Sequence, residues 1–479
     1  MADAEAGSQG GVWRRSPYLV FAAAFFIIGT SLRVSLCWVN PPSNAFDDHF
    51  APIFMIMKTG AIPAKDACFQ CYQPPVFYCV SAAVGLAAQG VGLAPGHVVK
   101  IMQGLNCVYG ILTLIVIYLI LGHFDLPPGA RLVAFGVACF LPRLIYMSAV
   151  NANDSLSYLC VAATILVTII AVERGLSPSW SGTLGLVATV TIFSKYTAFA
   201  VLPMIVTVVI WTAVSGVVSW KRGAAALLLA FAPPMAVLGS YMASNIARYG
   251  NPLPWNVGMY DPSVERPRDV EPIRFESFKP WEFLGHPVLA PGKLHSFWTL
   301  AYSGMWFDTE PLFQCYLDSN RAWWSRYYAW YRGEAPFPGN NPAVGWLTTA
   351  TADGLLTLGL VPLGLGVVGT AAWVFGQRHR ATGPGRVHNP IAAGLLVLAA
   401  FNAVGIIWLV HRLPVYCSMK ASYLLEALPA FALFLATGWL TLARTRWLRA
   451  ALGTALGLQF LLAAVHIVDI VVATAGTPR

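Results

Sequence analysis

The sequence predicts an all-α, multi-spanning membrane protein with about eleven transmembrane helices. Three observations carry this: charged residues are scarce, apolar runs are long, and basic residues gather in short loops. Of 479 residues, 57% are hydrophobic and 11% charged, against roughly 25% charged in an ordinary soluble domain. So few charges cannot coat a water-facing globule of this size. A lipid-solvated backbone must be helical or a closed barrel. Runs of roughly 20 apolar residues without alternation select helices.

Apolar runs able to cross fall at 17–38, 98–121, 131–149, 154–173, 180–194, 198–219, 222–246, 351–376, 388–411, 420–443 and 449–473. A further run, 74–94, carries Pro74, Pro75, Gln89 and several glycines. Orientation decides its status. If it stays on one side, Arg14, Arg15, Arg131, Arg174, Lys221, Arg222, Arg378, Arg380, Arg386, Arg444, Arg446 and Arg449 all share one face. If it crosses, the first pair lands opposite the rest. The positive-inside rule therefore favours eleven spans, with 74–94 as an outer interfacial or re-entrant helix. The net charge of +9 follows from these loops and implies no nucleic-acid partner.

This topology puts 39–97 and the long 247–350 segment on the outer face. It also puts there the turns near Asn151–Asp154, Lys195–Tyr196 and His411–Lys420. Residues 1–12 are read as a disordered cytoplasmic N-terminus. The first run lacks a small-residue cleavage site and is read as an uncleaved span. No internal repeat appears, and there is no Gly-rich nucleotide fingerprint.

The polar chemistry collects on that outer face. Asp47 and Asp48 lie just past the first span. Carboxylates so near hydrocarbon are rare and usually functional; one could deprotonate an acceptor hydroxyl or orient a metal-bound phosphate. The same residues also suit a helix start, with Asn44 or Asp47 as cap. Gln73-Pro74-Pro75 followed by aromatics fits an extended approach to a helix. Lys195 breaks two apolar runs, and a compact ammonium there suits a phosphate or snorkels to the interface. Asp154 could cap the following span. Arg143, after Pro142, is buried enough to require an anion. Arg412 and Lys420 form a basic outer cluster with His411 and Tyr423, and Glu426 could pair with Lys420 or Arg412. The long outer segment is rich in tryptophan and tyrosine, suited to packing, to the membrane interface or to sugar rings, and carries a second acidic pair, Asp308 and Glu310.

Of nine cysteines, Cys37, Cys79, Cys107, Cys139 and Cys160 fall in apolar runs as small core residues. Cys68 and Cys71, spaced C-x-x-C in an outer segment, favour a structural disulfide. A zinc site would need more ligands than His49 supplies, and a redox motif lacks its α/β context.

The order of these parts resembles the GT-C glycosyltransferases that use polyprenyl-phosphate sugars, nearest to the protein O-mannosyltransferase and aminoarabinose–lipid A transferase branch. Five motifs carry it: the acidic pair Asp47-Asp48; Gln73-Pro74-Pro75-Val76-Phe77-Tyr78; Asn153-Asp154-Ser155-Leu156; Ser194-Lys195-Tyr196; and Lys420 followed by Tyr423-Leu424-Leu425-Glu426-Ala427-Leu428-Pro429. The likeness covers 13–250, a catalytic transmembrane module, and more loosely the C-terminal helices of 351–479. The family pair is usually Asp-Glu, so the Asp-Asp here leaves open which acid is the base.

The resemblance implies an inverting hexosyl or pentosyl transfer from a polyprenyl (dolichyl-type) phosphate carrier to a hydroxyl on a protein, lipid or glycan. Asp47 is then the expected base with Asp48 beside it. Lys195, Arg143, Arg412 and Lys420 are expected at the carrier phosphate, and His49, Gln73, Tyr78, Asp154, Tyr196 and Tyr423 around the substrates. The sequence holds no full ligand set for a metal, although the acidic pair is compatible with a divalent ion. The implied location is the endoplasmic reticulum membrane in a eukaryote or the plasma membrane in a bacterium. The rival readings are a transporter or lipid flippase, which should show an inverted repeat, and a non-catalytic subunit of a glycosylation complex.

Overall fold

The computed structural model describes residues 17–42, 49–254, 274–291, 293, 296–309, 321–331, 333–339, 344–376, 388–412 and 420–475. Among them the regular structure is helical, apart from one isolated bridge between Arg274 and Ser296. The helices run α1 (Pro17–Val39), α2 (Phe50–Thr59), α3 (Val76–Gly90), α4 (Pro95–Gly122), α5 (Pro128–Phe140), α6 (Pro142–Ser148), α7 (Asp154–Glu173), α8 (Pro178–Ile192), α9 (Val201–Val214) and α10 (Trp220–Tyr249). The second half adds α11 (Phe297–Trp306), α12 (Arg321–Tyr331), α13 (Trp346–Leu358), α14 (Leu360–Gly376), α15 (His388–Arg412), α16 (Leu428–Leu442) and α17 (Arg446–Ala475). Short 3-10 turns at Tyr196–Ala200 and Ala421–Ala427 lead into α9 and α16.

Proline opens many of these helices. Pro95, Pro128, Pro142 and Pro178 each sit in a first turn, where a missing N–H leaves no bond unmade. Gly250 ends α10 at φ 68°, a left-handed C-terminal position that a side chain would strain.

Nine segments among the described residues are long and apolar enough to cross a membrane: α1, α4, α7, Tyr196–Val214, α10, Trp346–Gly376, Asn389–His411, Ala421–Leu442 and α17. Counted as one segment, α5 and α6 make a tenth, bent by 49°, because Pro142 cannot continue the backbone ladder of α5. The eleventh expected crossing, 180–194, corresponds to α8, which has 15 residues. At 1.5 Å per residue α8 spans only about 22 Å, less than the roughly 30 Å of a hydrocarbon core. The ambiguous 74–94 run is α3, also 15 residues. The N-terminal 1–12 lies outside the described residues.

The outward surfaces are apolar. Tyr18, Phe21, Ile27 and Trp38 of α1 and Trp447 and Val472 of α17 are exposed, a surface that would aggregate in water but is solvated by lipid chains. The chain is an integral membrane protein. Inside, one apolar core joins α1, α4, α5 and α6 to α11–α17. A second gathers α7–α10 with part of α15. A third, smaller core lies under α2 and α3 and includes Phe50, Ile53, Phe77, Tyr78, Met102 and Leu156.

α14 crosses α16 at close range. A Cβ on Gly369 would fall 1.7 Å from the Phe434 carbonyl oxygen, and one on Gly438 would fall 1.8 Å from the Leu365 oxygen. Both obstacles are backbone, so no rotamer change relieves them. Small residues permit this approach between membrane helices. Gly438→Val is expected to cost more than about 3 kcal/mol, read as a lowered thermal midpoint in detergent. Gly364→Ala, whose Cβ would meet nothing within 4 Å, is the control, and an unchanged midpoint for Gly438→Val would show that the crossing is not needed.

Candidate functional site

The polar site forms where helix ends meet at one end of the bundle. At the close of α1, Lys100 Nζ donates to the Cys37 and Asn40 carbonyls, both at 2.6 Å. Gln103 Nε2 donates to Ala149 O at 2.7 Å and lies within 3.3 Å of the Asn40 and Pro41 oxygens. Asn40 Nδ2 donates to Ala149 O at 2.7 Å. A cation and amides thus satisfy carbonyls that a helix C-terminus leaves without partners. Asp47 and Asp48 follow within eight residues of Asn40, but residues 43–48 lie outside the described residues. The chain resumes at buried His49, whose Nδ1 is 2.9 Å from Tyr78 Oη, with the two rings stacked at 5.8 Å. The described residues on either side of the acidic pair, Asn40 and His49, are thus both held by buried partners.

Lys195 occupies the turn between α8 and the 3-10 turn at Tyr196–Ala200. The turn is extended at Lys195, φ −160° and ψ 147°. This aims the side chain inward, and the residue is only 5% exposed. Its Nζ lies 2.6 Å from Asp154 Oδ1 at the first residue of α7, and 4.7 Å from the centroid of the Tyr423 ring, in range for a cation–π contact. The Tyr158 hydroxyl lies 3.1 Å from Asp154 Oδ1 and 2.8 Å from Ser422 O. Asn153 Nδ2 reaches Ser194 O at 3.4 Å. Asp154 makes no capping bond in α7; its carboxylate serves the lysine and Tyr158 instead. Lys195 does not snorkel, since it is buried against its partners.

Glu426, 1% exposed, lies next to this group. Its Oε1 accepts from Ser157 Oγ and Thr197 Oγ1, both at 2.6 Å, and its Oε2 accepts from Asn402 Nδ2 at 3.2 Å. The expected pairing was with Lys420 or Arg412. The hydrogen bonds to the described residues come from two hydroxyls and an amide on three other elements, and the Arg412 side chain lies outside the described residues.

Arg143 is 1% exposed on α6 and acts electrostatically on both Tyr146 and Tyr158, while Asp308 acts on Tyr146. Asp308, just past α11, is 3% exposed, and α11 packs on α6 and on the Ala421–Ala427 turn. The long segment thus brings a carboxylate to the arginine side of the site. Glu310 lies outside the described residues. Lys420 is buried at the head of the 421–427 turn. Arg412 closes α15, but its side chain lies outside the described residues.

A third layer joins the first loop to the Lys195 turn. Cys68 and Cys71 are bonded, S–S 2.07 Å. Val76 N donates to Phe193 O at 3.2 Å. Tyr196 Oη donates to Tyr72 O at 3.1 Å and lies 3.0 Å from Tyr241 Oη. Gln73 Nε2 donates to Tyr72 Oη at 2.8 Å. Buried Lys65 approaches the Tyr72 and Gln73 carbonyls at 3.4 and 3.3 Å and stands 4.8 Å over the Tyr241 ring. Lys65 is absent from the residues singled out by sequence; its signal is a lysine three positions before the C-x-x-C pair. Among the described residues, no three His, Cys, Asp or Glu side chains cluster to hold a metal.

A family model described as dolichyl-phosphate-mannose-protein mannosyltransferase matches residues 98–237, under half of the chain but including Arg143, Asp154 and Lys195. The oligosaccharyltransferase of Archaeoglobus fulgidus, solved with zinc and sulfate, superposes with a TM-score of 0.51 at 13% identity, covering 93% of this chain and 53% of that one. The chain has a GT-C-type fold.

Two further structures superpose less closely. The same archaeal enzyme with an inhibitory peptide and a dolichol-phosphate matches at 12% identity and a TM-score of 0.47, covering 98% of this chain and 57% of that one. ArnT from Cupriavidus metallidurans bound to undecaprenyl phosphate matches at 14% identity and a TM-score of 0.34, covering 88% and 77%. The chain spans little more than half the length of the archaeal enzyme. No curated protein matches it.

Proposed function

We propose that this protein is an inverting glycosyltransferase. It takes a sugar from a polyprenyl (dolichyl-type) phosphate carrier and delivers it to a hydroxyl acceptor on the lumenal or periplasmic face. The observation that carries the reading is Lys195: an ammonium 5% exposed where helix ends meet, in the matched segment, paired with Asp154 and set over the Tyr423 ring. An ammonium has three N–H donors. Asp154 takes one, so donors remain for a phosphate oxygen.

In the proposed step the acceptor oxygen attacks the anomeric carbon from the face opposite the carrier. The C–O bond to the phosphate breaks and its electron pair leaves with the carrier phosphate. The acceptor proton passes to the Asp47 carboxylate, with Asp48 orienting base or acceptor. The leaving group is already an anion, so it needs charge stabilisation rather than protonation, and Lys195, with Arg143, Arg412 and Lys420, supplies it. His49, Gln73, Tyr78, Asp154, Tyr196 and Tyr423 line the substrates. The family model supports a dolichyl-type carrier and makes mannose the first sugar to try.

The test is a transfer assay with purified full-length protein, radiolabelled dolichyl-phosphate-mannose and a panel of peptide, lipid and glycan acceptors. Acceptor-dependent release of dolichyl phosphate, with label moved to the acceptor in inverted configuration, is the expected result. Carrier translocation across a vesicle without bond cleavage would instead identify a flippase.

A further inference from the structure

We propose that Glu426 is the positioning residue of this site: it holds the Lys195 ammonium and the Tyr423 ring together so that the carrier phosphate meets a preformed contact. The inference rests on the proposed reading of Lys195 as that contact.

Each bond of Glu426 starts near a member of the site. Thr197 is two residues past Lys195, so its 2.6 Å bond fixes the backbone that leaves the lysine turn. Ser157 lies one helical turn beyond Asp154, so its 2.6 Å bond ties Glu426 to the start of α7. Glu426 itself lies three residues past Tyr423 on the same 3-10 turn, where positions three apart stack along one edge. Asn402 then braces the carboxylate from α15. One carboxylate thereby joins the three segments that supply the lysine, its anion and its aromatic floor.

The chemistry suits positioning by hydrogen bonds. All three partners are donors, so the carboxylate is used wholly as an acceptor, and bonds to a charged acceptor are stronger than neutral ones. Nor is Glu426 a direct partner of Lys195, whose bond goes to Asp154. Its charge also acts on Lys195 across the site, so a variant that keeps the bonds and removes the charge separates geometry from electrostatics. A glutamine can reproduce that geometry. Its oxygen accepts from Ser157 and Thr197, and its amide donates to Asn402 Oδ1, which has no hydrogen-bond partner among the described residues, once the Asn402 amide turns over.

The experiment measures equilibrium binding of dolichyl phosphate to the full-length protein in lipid nanodiscs, with a thermal midpoint for every variant. Glu426→Ala is expected to weaken binding about tenfold or more in the folded fraction. Glu426→Gln should restore affinity to within about threefold of the parent. Thr197→Val removes one bond at nearly constant volume and should weaken binding about fivefold; it decides the matter if Glu426→Ala does not fold. Lowered midpoints with unchanged affinity in the folded fraction, for both Glu426→Ala and Thr197→Val, would overturn the proposal by making the cluster a packing device. A glutamine variant as weak as the alanine one would also overturn it. If the parent fails to bind dolichyl phosphate at all, the proposed function falls first and this inference with it.

Discussion

Asp47→Asn is expected to abolish sugar transfer while leaving the protein folded and able to bind dolichyl phosphate. The replacement keeps the size and removes the basic oxygen. General-base catalysis contributes roughly 10²–10⁴-fold, so turnover should fall by at least about a hundredfold. The fold should tolerate the change because the segment's anchors lie outside it, at the Asn40, Lys100 and Gln103 bonds on one side and the His49–Tyr78 contact on the other. Asp48→Asn should cost less, since Asp48 only orients. Near-normal turnover of Asp47→Asn alongside a dead Asp48→Asn would exchange the two roles. Near-normal turnover of both would remove the acidic pair from the mechanism.

The second large effect concerns the buried ion pair. Lys195→Met leaves the Asp154 carboxylate buried without its ammonium, and breaking one half of such a pair costs roughly 3–5 kcal/mol. Poor yield and a lowered thermal midpoint are therefore expected, which alone says nothing of function. The double variant Lys195→Met/Asp154→Asn removes both charges and should recover most of the lost stability, as neutral replacements of buried pairs do. Dolichyl phosphate binding should stay weakened by more than about tenfold in that recovered protein. If the double variant binds as the parent does, Lys195 is a packing residue and the phosphate contact lies elsewhere.

Hydropathy alone was enough to read the architecture, because each crossing helix must satisfy its own backbone in lipid and so writes itself as one apolar run. The number of crossings is harder to read where length and straightness matter. The run 131–149 is apolar throughout, yet it is two helices bent at Leu141–Pro142, and 180–194 supports only the 15 residues of α8. Residues of the site were legible singly. Lys195, Asp154, Arg143 and Tyr423 each stand out as polar or aromatic groups at the edge of an apolar run. Their partnerships were not legible. Nothing local to position 154 says that its carboxylate meets an ammonium 41 residues later, so it read equally well as a helix cap or a sugar contact. Glu426 is the extreme case, since its partners Ser157 and Thr197 lie 269 and 229 residues away. Lys65 was passed over because its role depends on Tyr241 and the Tyr72 carbonyl, which only folding brings to it.

That long-range bridge bears on how the molecule can be divided. The segment that the family model matches ends at residue 237 and contains the lysine and its aspartate, but the ring beneath the ammonium and the glutamate that braces it arrive with the last two hundred residues. A shortened protein ending after α10 would keep a recognisable signature and lose the floor of its pocket. The cluster therefore closes only when segments from both ends of the sequence have packed together.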